Sequence, residues 1–161
     1  MGGVGKLFLI GLMVMGAAAI TPPAKAATAP ADPCSLLTAA EVGKSLGLAS
    51  VSLEKTVAPR PYANTVEGTD CHYAASNGNG ELLFRIYFDP SATEAPSLFA
   101  KLKMFYSPPT PVGGIGDEAY FDPRHGLHVR KGNVRFFLSF GANSNTQLQK
   151  LAGVVAGQIQ D

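Results

Sequence analysis

Apolar residues recur along this chain with two different periods, and the switches between them mark its elements. From 81 to 88, Leu82, Phe84, Ile86 and Phe88 alternate with Leu83, Arg85 and Tyr87. A period of two places the first set on one face of a strand and the second on the other. Val134, Phe136, Leu138 and Phe140 repeat that alternation. Segments 50–57, 69–75, 119–121 and 127–130 read as further strands, the first half-buried through Val51 and Leu53. Asn77-Gly78-Asn79-Gly80 and Lys131-Gly132-Asn133 are hairpin turns, because Asn and Gly accept positive φ.

Three stretches follow the helical period instead. Thr38-Ala39-Ala40-Glu41 is a capping box, flanked by Leu37 and Val42 as a hydrophobic staple, and Gly47 ends that short helix in the left-handed conformation. Leu98, Phe99, Leu102, Phe105 and Tyr106 form one stripe that begins after Pro96 and stops at Ser107-Pro108-Pro109. Leu148, Leu151, Ala152, Val155 and Ile159 form another over 145–160, where Gly153 and Gly157 lower the intrinsic propensity, so packing must hold it. The Pro- and Gly-rich stretch 108–116 reads as a loop.

The fold class that follows is α+β: an antiparallel sheet of five to six strands with about three helices packed mainly on one face, the other face open. Hairpin followed by helix occurs at 71–106 and again at 127–159, which suggests an internal repeat.

The N-terminus changes the picture of where the protein resides. Residues 1–26 combine Lys6, an apolar run from Leu7 to Ile20 and the small-residue pattern Ala24-Lys25-Ala26, the three parts of a secretory signal cleaved after Ala26. The run is shorter than the roughly 20 residues that span a bilayer, and Gly11 and Gly16 interrupt it, so no stable membrane anchor is expected after cleavage. No Cys follows the run directly, which argues against lipid anchoring. Residues 27–33 are Ala, Thr, Pro and Asp, a flexible leader, and a single domain occupies 34–161. The expected location is periplasmic or secreted. An oxidising compartment favours pairing of the two cysteines, Cys34 and Cys71, in a disulfide.

Charge excludes some partners. The whole chain carries a formal +1; residues 1–26 hold Lys6 and Lys25 and no acid, so the mature part carries −1. A nearly neutral domain has no electrostatic footprint for nucleic acid.

Candidate chemistry is sparse. His72, His125 and His128, with Asp70, Asp117, Glu118 and Asp122, are the available metal-ligating types, but His72 and His128 fall on the strand face away from the core, and solvated or structural histidines fit the spacing better than ligands. There is no Gly-x-Ser-x-Gly elbow, and the disulfide uses both cysteines. Gly113-Gly114-Ile115-Gly116 lacks the Lys-Ser/Thr of a phosphate loop and reads as a turn into a strand. Phe84, Phe88, Phe99, Phe105, Phe136 and Phe140 sit at core spacing; Tyr62 and Tyr120 are harder to place. Tyr87 and Phe137 on an open sheet face, beside Arg85 and Arg135, would form an aromatic patch fit for a partner or ligand.

Asp32-Pro33-Cys34-Ser35-Leu36-Leu37-Thr38, then Glu41 and Gly47, Cys71-His72-Tyr73, Gly114-Ile115-Gly116-Asp117-Glu118-Ala119-Tyr120 and a Val-Arg-Lys-Gly hairpin span most of the mature chain. They resemble a family of small exported bacterial cell-envelope domains of unknown function, similar to the extracellular sensor domains of some receptor kinases. The resemblance implies no activity and no site residues. The reading that follows is a non-enzymatic cell-envelope module, without a cofactor, binding an unidentified ligand or exported protein through the open face or the loops at 58–68 and 107–116. The alternatives are a metal-dependent or hydrolytic enzyme using His72, His128 and nearby acids, and an inhibitor or assembly factor for another exported protein.

Overall fold

The computed structural model describes residues 1, 26–60, 66–78, 80–141 and 144–160. The expected secretory signal and Tyr62 therefore lie almost wholly outside the described residues. The domain is an α+β fold built on one antiparallel sheet of seven strands in the order β1-β2-β3-β7-β6-β5-β4. The strands are β1 (Val51–Ala58), β2 (Gly68–Ala75), β3 (Glu81–Phe88), β4 (Thr110–Val112), β5 (Glu118–Phe121), β6 (Leu127–Lys131) and β7 (Val134–Ser139). Six match the sequence pattern. The seventh, β4, lies in the stretch that reads as a Pro/Gly loop; it is a three-residue edge strand, where Pro111 needs no ladder donor on its outer side.

The sheet has two unlike faces. Phe84, Ile86, Phe136, Leu138, Leu127 and Val129 share one face and are buried. Helices α1 (Ala39–Leu46) and α3 (Asn145–Gln158) cover it. Leu148, Leu151, Ala152 and Val155 are the buried stripe of α3, while Gly153 and Gly157 face solvent. Burial of each large apolar side chain there stabilises by about 1.5–3 kcal/mol, which outweighs the roughly 1 kcal/mol that each glycine costs the helix. Lys131 Nζ donates to Ala156 O and Ile159 O at the far end of α3.

The second face is not open. Tyr120, His128, Phe137 and Arg85 are successive cross-strand neighbours on β5, β6, β7 and β3, and α2 (Ala95–Phe105) packs onto that row through Phe99, whose ring lies 5.3 Å from that of Tyr120. Two helices therefore lie on one face and the third on the other. This placement also limits the internal repeat. The triplets β1–β2–β3 and β5–β6–β7 mirror each other across the central β3·β7 pair, but the helices that follow β3 and β7 go to opposite faces.

Two apolar assignments differ from the sequence pattern. β1 is an exposed edge, with Leu53 and Val57 at 38% and 66% exposure, because α1 reaches only its Val51 end. Glu54 and Lys55 on that edge discourage pairing with another chain. Phe105, expected in the core, is 73% exposed at the end of α2, beyond the cover of the sheet.

The N-terminal part follows its signals closely. Thr38 Oγ1 accepts from the Glu41 backbone N–H at 3.2 Å, and Glu41 accepts from the Thr38 N–H at 2.7 Å; Gly47 ends α1 with φ of 69°. Cys34, in the 3₁₀ turn Pro33–Leu36, is bonded to Cys71 on β2. The Tyr73 hydroxyl donates to Leu37 O and Cys34 O beside it. The leader is less free than its composition implies: Asp32 pairs with Lys55 at 2.6 Å, and Ala27 exchanges two hydrogen bonds with Asn133. Among the described residues no helix is long and apolar enough to cross a membrane.

The disulfide closes a loop with a sequence separation of 37. Its reduction should lower the unfolding free energy by about 3–4 kcal/mol. Urea denaturation of the oxidised and reduced protein, read as a drop in midpoint on reduction, measures this.

Candidate functional site

Between α2 and the second face of the sheet lies a cleft of about 300 Å³, lined by Pro59, Arg85, Tyr87, Leu102, Tyr106, His128 and Phe137. Strand periodicity places its floor. Arg85 and Tyr87 are two residues apart on β3, while His128 and Phe137 are direct cross-strand partners on β6 and β7. One helical turn separates Leu102 from Tyr106, which supplies the opposite wall. The rings are in contact: His128 lies 4.9 Å from Tyr106, 4.6 Å from Phe137 and 4.8 Å from Tyr120, stacked on the last at 9°.

Two glycines make room for these rings. A Cβ on Gly126 would come within 2.3 Å of the Phe137 ring, and one on Gly68 within 2.5 Å of the Tyr87 ring. The Tyr87 hydroxyl donates to Pro59 O at 2.5 Å, which fixes the ring from its far end.

Ionic pairs support the floor. Arg85 makes a bidentate pair with Asp70, Nε to Oδ1 at 2.7 Å and Nη2 to Oδ2 at 2.6 Å, and its Nη1 makes no hydrogen bond to another described residue. Arg135 pairs in the same way with Asp89, both side chains 2% exposed or less, and its guanidinium lies 5.1 Å from the Tyr87 ring centre. Asp122 sits in a tight turn in which its Oδ1 accepts from the backbone N–H of Arg124 and Gly126; this aims Oδ2 at His128 Nε2, 3.0 Å away.

The His128 ring is neutral near pH 7. Burial pushes its protonation down, aided by the Arg85 charge, and outweighs the hydrogen bond and charge of Asp122, which act the other way. Burial pushes Asp122 up, but the hydrogen bonds from His128, Gly126 and Arg124 outweigh it and hold the carboxyl below its usual range. The arrangement is therefore a carboxylate accepting from Nε2–H, which leaves Nδ1 as a bare acceptor. That atom is buried and has no hydrogen-bond partner among the described residues, on a residue only 4% exposed.

The sequence-based candidates divide in the structure. Tyr87, Phe137 and Arg85 do lie together, as cleft lining beneath α2 and not as an open patch; Tyr87 is 6% exposed. Arg135 is buried behind Tyr87 in its pair with Asp89 and offers no surface. The candidate metal cluster disperses into separate pairs: His72 with Glu81, Asp70 with Arg85, Asp117 with Arg130, Glu118 with Lys103 and Asp122 with His128. His72 and His128 share a face but are three strand spacings apart, about 14 Å, too far to share a ligand shell. Among the described residues no group of three or more His, Cys, Asp or Glu is placed to hold a metal. Gly113–Gly116 is the turn between β4 and β5, as expected. Leu102 and Tyr106 are the cleft residues that the sequence assigned to core.

Two measurements check this account. Below the ordinary histidine range the unfolded chain takes up a proton that folded His128 refuses, so stability should fall as pH drops from about 7 to 5.5, by at most about 1.4 kcal/mol per pH unit. Urea titrations across that range should show this part of the slope disappear in His128→Phe. Asp89→Ala should cost about 3–5 kcal/mol, because it leaves the Arg135 guanidinium buried and unpaired; the thermal midpoint of the variant reads it.

No known family profile matches the chain, and no curated protein matches it in sequence. In overall shape it is similar to a solved structure described as a GTP binding regulator from Thermotoga maritima, at 14% sequence identity and a TM-score of 0.47 over 77% of this chain and 90% of that one.

Proposed function

We propose that this chain is an exported cell-envelope domain, periplasmic or secreted, that binds a small planar ligand in the cleft under α2 without transforming it. The observation that carries the reading is the cleft itself, in which Tyr87, Tyr106, His128 and Phe137 close around Arg85. The disulfide supports an oxidising location, and the signal pattern of residues 1–26 agrees with it.

The lining sets the ligand chemistry. Tyr106, Phe137 and Tyr87 favour a ring, and Arg85 favours an acceptor or anion. A volume of about 300 Å³ lies at the lower end for small-molecule sites, which limits the ligand to roughly one ring with its substituents.

Benzoate carries both features, whereas phenol lacks the anion and cyclohexanecarboxylate the aromatic ring. In an NMR titration of the disulfide-bonded protein, benzoate should shift resonances of Tyr106, His128 and Phe137 and bind about tenfold tighter than either. Tyr106→Ala should abolish the effect. Equal binding of all three compounds, or shifts only away from the cleft, would reject the reading.

A further inference from the structure

Asn133 occupies a hairpin turn, a place where asparagine is ordinarily solvated, yet it is only 2% exposed. Its partners are specific. Oδ1 accepts from the backbone N of Ala27 at 2.6 Å, while Nδ2 donates to Ala27 O at 2.9 Å and to Asp89 O at 2.8 Å. Both donors of the amide are used, and two of the three hydrogen bonds go to one residue of the leader. Ala27 itself packs partly buried against the core cluster. The residue so gripped is the one that the secretory pattern Ala24-Lys25-Ala26 places first after cleavage.

We propose that Asn133 is a built-in receptor for the processed N-terminus of this protein. Signal peptidase directs water onto the carbonyl carbon of Ala26. The C–N bond to Ala27 breaks, Ala26 departs with the signal as a carboxylate, and the nitrogen of Ala27 takes up protons to become an α-ammonium. The nitrogen gains donors and a positive charge. Asn133 Oδ1 has a second lone pair to meet them, and the bond it already makes becomes charge-assisted, about twice as strong as a neutral one. The carbonyl of Ala27 keeps its bond to Nδ2, so both ends of the first residue are read. The clamp therefore selects a chain that starts at Ala27, and it joins that start to Asp89, whose backbone N–H in turn donates to Asn133 O at 2.8 Å. This inference is independent of the ligand proposed for the cleft.

The test uses the full chain, exported by a bacterial host and recovered from the envelope fraction. The intact mass should correspond to residues 27–161 with the disulfide formed. An N-hydroxysuccinimide ester near pH 7, where the α-amine reacts ahead of lysines, should acylate the native chain about tenfold more slowly than the urea-unfolded chain. Asn133→Ala should bring the native rate up to the unfolded rate. Since that variant also removes the bond to Asp89 O, a second variant deletes residues 28–31, which leaves Asn133 and the cleavage pattern intact but sets Ala27 directly before Asp32, a residue tied to Lys55 on the edge strand β1, with β2 and β3 between it and β7. It should show the same release of the amine with unchanged amide-exchange protection in the sheet. A mature mass beginning at another residue, or a native amine as reactive as the unfolded one, would overturn the proposal.

Discussion

The ion pair between Asp89 and Arg135 is the joint on which the rest of this domain is assembled. Both side chains are closed to solvent, and taking such charges out of water costs several kcal/mol each unless geometry and hydrogen bonds offset it. The geometry here is bidentate, and it holds the chain just past β3 to the second residue of β7, the two central strands. Around the same joint, Asp89 and Asn133 exchange backbone and side-chain hydrogen bonds, and Tyr87 lies over the Arg135 guanidinium. The floor of the cleft and the anchor of the leader thus share one support. Apolar replacement of such a pair is often neutral for stability in other proteins; here the Arg135 guanidinium also lies against the Tyr87 ring, a contact that an aliphatic side chain would not reproduce.

The division of the sheet into two faces explains where chemistry is found. One face is aliphatic and aromatic, and α1 and α3 close it into a dry core. The other carries two charges and then three rings: Asp70, Arg85, Phe137, His128 and Tyr120 cross the sheet in register. A single helix covers that row, and its short apolar contact, Ala95, Leu98 and Phe99, lies toward one end. The far end of the helix, with Leu102 and Tyr106, stands over the cleft and leaves a gap above Arg85 and His128.

Much of this was legible in the sequence, and the part that was not has a physical cause. Thr38 through Gly47 and the alternations of β3 and β7 are local signals, fixed by capping geometry and by the period of two, and they hold in the helix and in both strands, with Phe140 one residue beyond the end of β7. Which face a helix covers is a tertiary choice. The stripe of α2 could be read, but Arg85 and Arg135 make the second face look solvated until Asp70 and Asp89 are seen to neutralise them. Tyr87, Phe137 and Arg85 were therefore identified as one group with the wrong exposure. The turn Asp122-Pro123-Arg124-His125-Gly126 before His128 was a usable signal: an aspartate that caps its own turn has one oxygen committed to backbone and the other free for a neighbour six residues on. Burial of Asn133 had no signal, since Lys-Gly-Asn reads as an ordinary turn until the leader folds back over it.

The disulfide acts on the cleft through a single strand. Cys71 is fixed to the N-terminal turn, and its chain neighbour Asp70, pointing to the opposite face of β2, holds Arg85 by both oxygens. β2 is bordered on its outer side by β1, whose residues are largely exposed and contribute little packing. The covalent link therefore supplies on that side the constraint that Asp89 and Arg135 supply in the centre. Arg85 sits between the two, presented to the cleft by a strand pinned at both flanks. A charged group held in this way has little conformational freedom left to lose, so the cleft is ordered by folding and disulfide formation themselves.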